Sequence, residues 1–186
     1  MAKWCARHDV AVWAYCLMPN HVHLILTPAH ADGLARAVGE AHRRYTLAIN
    51  TRQEWKGFLW QGRFASYPMD SSYLMNAARY VLLNPVRAKL VRDPTQWQHS
   101  SVHAHLTGRR DGLVDPTPLG QRVQDWDEFL RVEDRSRTID KIRRHQRSGR
   151  PMGSAEFIRG LEVTLGRSLF PRKPGPKTNT DSDTDA

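Results

Sequence analysis

Tyr15-Cys16-Leu17-Met18-Pro19-Asn20-His21-Val22-His23-Leu24-Ile25-Leu26 is the stretch whose reading decides the fold. Aliphatic and aromatic residues flank Pro19-Asn20, a dipeptide suited to a turn, so the stretch reads as strand, tight turn, strand. The pattern predicts strands over Val10–Met18 and His21–Leu26. Side chains alternate along a strand, so His21 and His23 project from one face. Two imidazoles so placed can share a divalent cation if a third ligand joins them. Without such a partner they read first as a partly buried, hydrogen-bonded pair.

The surrounding composition sets the partner class. The 186 residues suffice for one domain of ordinary size with a tail, and 28 Lys+Arg against 19 Asp+Glu leave a net charge of +9. That balance favours a polyanion, nucleic acid first and an anionic membrane surface second. Cys5 and Cys16 have neither metal-ligand spacing nor a disulfide framework, which fits a reducing cytoplasm. The longest apolar run, Val10 to Met18, is far short of the roughly 20 residues a membrane helix needs, and no signal peptide is visible.

Outward from the hairpin, residues 1–9 read as the last turns of a helix. Leu34, Val38, Ala41, Tyr45 and Ile49 recur at helical spacing, with Arg36, Arg43 and Arg44 off that face, either solvated or available to phosphate. Residues 51–69 are rich in aromatics and glycine, and Gln61-Gly62-Arg63-Phe64 predicts a turn into a short strand ending at Pro68. Those aromatics, beside Lys56 and Arg63, either stack bases or pin a long loop to the core. Asp70 is placed to cap a helix from Ser71 to about Leu83, with Leu74, Ala77, Ala78 and Val81 on its apolar side. Asn84-Pro85 interrupts it, Asn84 being read as the cap of a further turn. Residues 91–118 are polar and turn-rich, 125–147 helical and highly charged, and 154–165 a small helix after the break at Gly149-Arg150-Pro151. Disorder is expected from about residue 171, through the basic, proline-rich Pro171 to Lys177 and an acidic end.

Tyr80 and Asn84 are four residues apart and share a helical face. A tyrosine hydroxyl can attack a phosphodiester when a metal polarises the phosphate. An amide oxygen suits Mg²⁺ or Mn²⁺, and Mn²⁺ accepts imidazole. His21, His23 and Asn84 are therefore candidate metal ligands, with Tyr80 the candidate nucleophile one turn back. Taken singly, Tyr80 also reads as a core or surface tyrosine and Asn84 as a cap.

The Tyr15–Leu26 stretch, together with Tyr80-Val81-Leu82-Leu83-Asn84-Pro85-Val86-Arg87-Ala88-Lys89-Leu90-Val91, resembles the two signature blocks of the single-tyrosine HUH transposases of insertion sequence 200 type. Trp60-Gln61-Gly62-Arg63-Phe64, Trp97 with Ser100-Ser101, Gly149 to Ser154 and the Arg-Lys-Pro tail resemble the REP-associated tyrosine transposases within that family. The similarity covers about residues 1 to 177. It implies an α+β fold: a ferredoxin-like antiparallel sheet with helices on one face. It implies a metal-dependent endonuclease and strand transferase acting on single-stranded DNA beside a hairpin. Tyr80 would form a 5′-phosphotyrosine and free a 3′-hydroxyl; His21, His23 and Asn84 would hold Mg²⁺ or Mn²⁺.

Relatives carry a strand and most of a helix before the position of Met1, so the sheet is expected to lack its first, central strand. A misplaced start is the preferred explanation, ahead of a degraded copy or strands paired differently. The expected organisation is a catalytic domain over 1–110, a helical extension over 111–170 and a disordered tail over 171–186. Candidate DNA contacts are Arg43, Arg44, Arg63, Arg87, Arg150, Arg172 and Lys173. The competing readings are a non-catalytic hairpin-DNA-binding remnant and a rolling-circle replication initiator or relaxase. A cytoplasmic location, no membrane, and a monomer or homodimer complete the expectations.

Overall fold

The computed structural model describes residues 1–131 and 136–170. The expected tail, with Arg172 and Lys173, lies outside the described residues.

Strands β1 (Val10–Leu17) and β2 (Val22–Pro28) pair antiparallel around Pro19-Asn20, and the Met18 amide donates to the His21 carbonyl at 2.8 Å to close the turn. His21 thus sits in the turn, just ahead of β2, and His23 is paired with Cys16. Val10, Val12, Ala14 and Cys16 are buried at period two, and a register shift between Val12 and Ala14 leaves Trp13 unpaired.

A two-stranded sheet exposes backbone groups that need partners. Along β1 they come from loops rather than a strand. The Leu17 amide donates to the His99 carbonyl (2.8 Å), the Ser101 amide to the Tyr15 carbonyl (3.0 Å), and the Asp115 amide to the Val12 carbonyl (2.9 Å). The Tyr15 amide donates to the Ser101 hydroxyl at 2.9 Å, and the indole of Trp97 donates to the Leu17 carbonyl at 3.0 Å. The fold is α+β, a partial ferredoxin-like sheet with helices, and loop residues occupy the positions where a neighbouring strand would bond.

Three helices pack on the hairpin. Cys5 of α1 (Ala2–Arg7) and Ala37 of α2 (Gly33–Gln53) cluster with Val10 and Val12. Leu74, Ala77, Ala78 and Val81 of α3 (Ser71–Leu82), the expected apolar side, cluster with Ala14, Cys16, Met18 and Ile25. In α2 the expected stripe is buried at Val38 and Ala41, but Tyr45 is 52% exposed because the second half of the helix runs past the hairpin. Helix α3 ends at Leu82, and Leu83 rather than Asn84 precedes α4 (Asn84–Arg87); Asn84 is its first residue and Pro85 its second, so the predicted Asn84 cap is not formed.

The expected strand ending at Pro68 is replaced by bends over 61–63 and a single parallel bridge between Met69 and Met152. The loop is pinned at Trp60, which stacks on His42 (centroids 4.0 Å) and donates to its carbonyl at 3.2 Å, whereas Trp55 and Phe58 stay exposed. The turn-rich stretch after α4 contains a short 3-10 turn (Pro94–Gln96), α5 (Val102–Thr107) and α6 (Thr117–Gly120). Helices α7 (Trp126–Arg131), α8 (Ser136–Ser148) and α9 (Ala155–Leu165) follow. Among the described residues no helix is long and apolar enough to cross a membrane.

Asp70 ties two distant segments together. One carboxylate oxygen accepts from the Ser72 and Tyr73 amides, capping α3 as expected, and from the Ser72 hydroxyl. The other accepts from the Ser154 amide at 2.7 Å, while Ser154 itself caps α9. A Cβ on the intervening Gly153 would lie 2.3 Å from the Phe157 ring and 2.9 Å from an Asp70 oxygen. The Ser72 hydroxyl, with these amides, holds the Asp70 carboxyl below its ordinary range despite some loss of hydration. Asp70→Ala is expected to cost about 1–2 kcal/mol in urea unfolding, the size of a lost N-cap. A carboxyl depressed in the folded state stabilises fully above its unfolded pKa, so the gap between wild type and Asp70→Asn should shrink only as pH falls below about 4, through the depressed folded value.

Candidate active site

The hairpin turn aims both imidazoles at one point. His21 Nε2 and His23 Nε2 are 3.0 Å apart, with the rings edge-on at 4.7 Å between centroids. His21 Nδ1 lies 2.6 Å from the Asn20 carboxamide oxygen. An imidazole that donates its Nδ1 proton to that oxygen keeps a lone pair on Nε2. His23 is more enclosed. Burial, then the neighbouring His21 and Arg87, lower its pKa to about 4, so it is neutral at physiological pH.

This pair fits the donor set of a small divalent ion. Two ligands about 2.1 Å from an ion at a right angle lie about 3.0 Å apart. Among the described residues no group of three or more His, Cys, Asp or Glu could hold a metal.

Helix α3 presses Tyr80 onto this pair. The Tyr80 ring meets His23 edge-on at 5.6 Å and is 7% exposed. Its other neighbours are Ile142 of α8 and Met152, and its hydroxyl donates to Gln146 Oε1 at 3.4 Å. Arg87 covers the ring, Cζ 4.3 Å from its centroid, and donates to the Tyr80 carbonyl. A guanidinium is thereby fixed beside the one side chain here that can attack phosphorus. Asn84 is buried one turn beyond Tyr80, and among the described residues no hydrogen bond joins it to either imidazole.

The structure therefore gathers His21, His23, Tyr80 and Arg87. The remaining candidate DNA contacts are spread out. Arg43 and Arg44 lie on the outer side of α2 and pair with Glu40, which they hold at a pKa of about 2. Arg63 is exposed in the bend after Trp60, and Arg150 is exposed beyond α8 with its carbonyl 2.9 Å from His145 Nδ1. Two polar residues at the site had escaped notice as functional groups. Asn20 was legible as the neighbour of His21, but nothing local links Gln146 to Tyr80 across 66 positions.

Tyr80 can be stripped of its hydroxyl at little cost to the fold. A single long hydrogen bond to an amide contributes about 0.5–1.5 kcal/mol at most, so Tyr80→Phe should unfold within about 1 kcal/mol of wild type. Tyr80→Ala should lose about 3–5 kcal/mol, since it empties the space between His23, Ile142 and Met152. Urea unfolding of the two variants separates these contributions.

Residues 1–84 match the family model described as Transposase IS200 like. No curated protein and no solved structure matches the chain. The matched segment ends at Asn84, and so holds the hairpin, both imidazoles and Tyr80; over this segment the chain is similar to the IS200-like transposases, which supports DNA transposition as its general function.

Proposed function

We propose that the chain is a metal-dependent endonuclease and strand transferase of the REP-associated tyrosine transposase type, acting on single-stranded DNA beside palindromic hairpins. The observation that carries this reading is the contact between the Tyr80 ring and His23, whose Nε2 lies 3.0 Å from that of His21.

His21, His23 and Asn84 are the residues that would hold Mg²⁺ or Mn²⁺, and imidazole donors favour Mn²⁺ of the two. When bound, the ion supplies Lewis-acid polarisation of the scissile phosphate. The chain's own residues do the rest. Arg87 holds the Tyr80 ring and places positive charge beside it. Gln146 accepts a hydrogen bond from the hydroxyl and so orients its oxygen. Asn20 fixes His21 in the tautomer whose Nε2 can donate a lone pair. Tyr80 Oη attacks phosphorus, the P–O3′ bond breaks, and the proton lost by the phenol is balanced by the one gained on the departing 3′-oxygen. The product is a 5′-phosphotyrosine diester, which retains the energy of the original bond, so a second 3′-hydroxyl can rejoin strands without ATP.

The test is a labelled single strand carrying a REP-like hairpin, incubated with the protein and Mn²⁺ and resolved under denaturing conditions. A covalent adduct that is absent from Tyr80→Phe and from His23→Ala is expected. Binding with no adduct would favour the hairpin-binding remnant instead. Asn20→Ala should weaken Mn²⁺ binding by about 10-fold or more in an EPR titration, the usual effect of removing a group that orients a ligand. Unchanged affinity would remove Asn20 from the account.

A further inference from the structure

The outer face of α8 is a second feature of the molecule that calls for a ligand. Arg137, Lys141, Arg143, Arg144 and Arg147 are all exposed along this 13-residue helix, and among the described residues none of them forms an ion pair. Arg143, Arg144 and Arg147 line an open cleft of about 420 Å³ with Ser148, where Asp140 is the one carboxylate among the described residues. Three of the four arginines of α2 behave differently: Arg36, Arg43 and Arg44 are each paired with an acidic neighbour. The opposite face of α8 is built against the candidate nucleophile. Ile142, 1% exposed, packs on Tyr80, and Gln146 accepts from its hydroxyl. Arg143, Arg144 and Arg147 therefore stand on the side of α8 turned away from Tyr80, each within two residues in sequence of Ile142 or Gln146.

We propose that the Arg143, Arg144 and Arg147 face of α8 is a track for the phosphates of a DNA single strand flanking the segment engaged at the candidate site. A guanidinium presents a planar fork that matches phosphate oxygens, and these three lie within about 6 Å of helix rise, within reach of adjacent phosphates on one strand. The inference deepens the endonuclease reading and rests on it for the placement of the strand. The cluster of unpaired charge stands independently of it.

The experiment is fluorescence anisotropy of a labelled hairpin oligonucleotide with single-stranded flanks, titrated with the full chain between about 50 and 200 mM salt. The comparison is wild type against Arg143→Gln/Arg144→Gln/Arg147→Gln, with Arg52→Gln/Arg159→Gln/Arg167→Gln as an equal loss of charge elsewhere. Each single-strand phosphate contact contributes about 0.7 to the slope of log K against log salt, so the α8 variant should lose about 2 units of slope and the control much less. Arg144→Gln alone should lose about 0.7 by the same rule. Equal slopes in wild type and the α8 variant, equal losses in variant and control, or no DNA binding by wild type would each overturn the track. Adduct formation by Tyr80 is scored separately: its absence with the slope loss intact refutes the nuclease reading and leaves the track, and its presence with unchanged slopes does the reverse.

Discussion

The close seating of α3 on the hairpin is the contact on which the rest depends. Ala14 and Cys16 of β1 meet Ala77 and Ala78 of α3, all at most 3% exposed. Small side chains on both partners let helix and strand approach closely, and each larger neighbour such as Leu74 or Val81 adds about 1.5–3 kcal/mol by leaving water. That approach brings the following turn of α3, with Tyr80, against His23. A large residue at Ala14 or Ala78 would lift the helix and separate the phenol from the imidazoles, whatever the quality of each group by itself.

Polar organisation follows from the same packing. Because His23 is enclosed by Tyr80 and Arg87, it stays neutral, and because His21 stands in the turn it is exposed and can be oriented by Asn20. An enclosed and an accessible imidazole then stand with their Nε2 atoms 3.0 Å apart. The Asp70 carboxylate holds α3 from its other end by joining it to the segment that leads into α9. Met152, bridged to Met69, closes the apolar wall behind Tyr80. Segments far apart in sequence thus converge on one tyrosine.

The hairpin, the amphipathic α3, the Asp70 cap and the break at Asn84-Pro85 were legible because each rests on local chemistry: alternation, helical periodicity, a carboxylate before free amides, a proline. What local chemistry does not carry was missed or mistaken. The edge of β1 is satisfied by Ser101 and Asp115, residues with no strand pattern, and the expected strand before Pro68 became a single bridge because its partner is Met152, far along the chain. Tyr45 fits the helical stripe of α2, yet it projects beyond the end of the surface that the stripe covers. At the site, the imidazole pair was readable from its spacing. The packing of α8 on Tyr80 was not, since a run of arginines looks the same whatever the other face of its helix packs against.

The most direct measurement of the central geometry is paramagnetic broadening of tyrosine ring signals in isotope-labelled protein as Mn²⁺ is added. Of the five tyrosines in the chain, Tyr80, assigned by its loss in Tyr80→Phe, should broaden first, and the effect should vanish in His21→Ala/His23→Ala. Broadening that spares Tyr80, or that persists without the two imidazoles, would contradict a cation seated between them and the phenol.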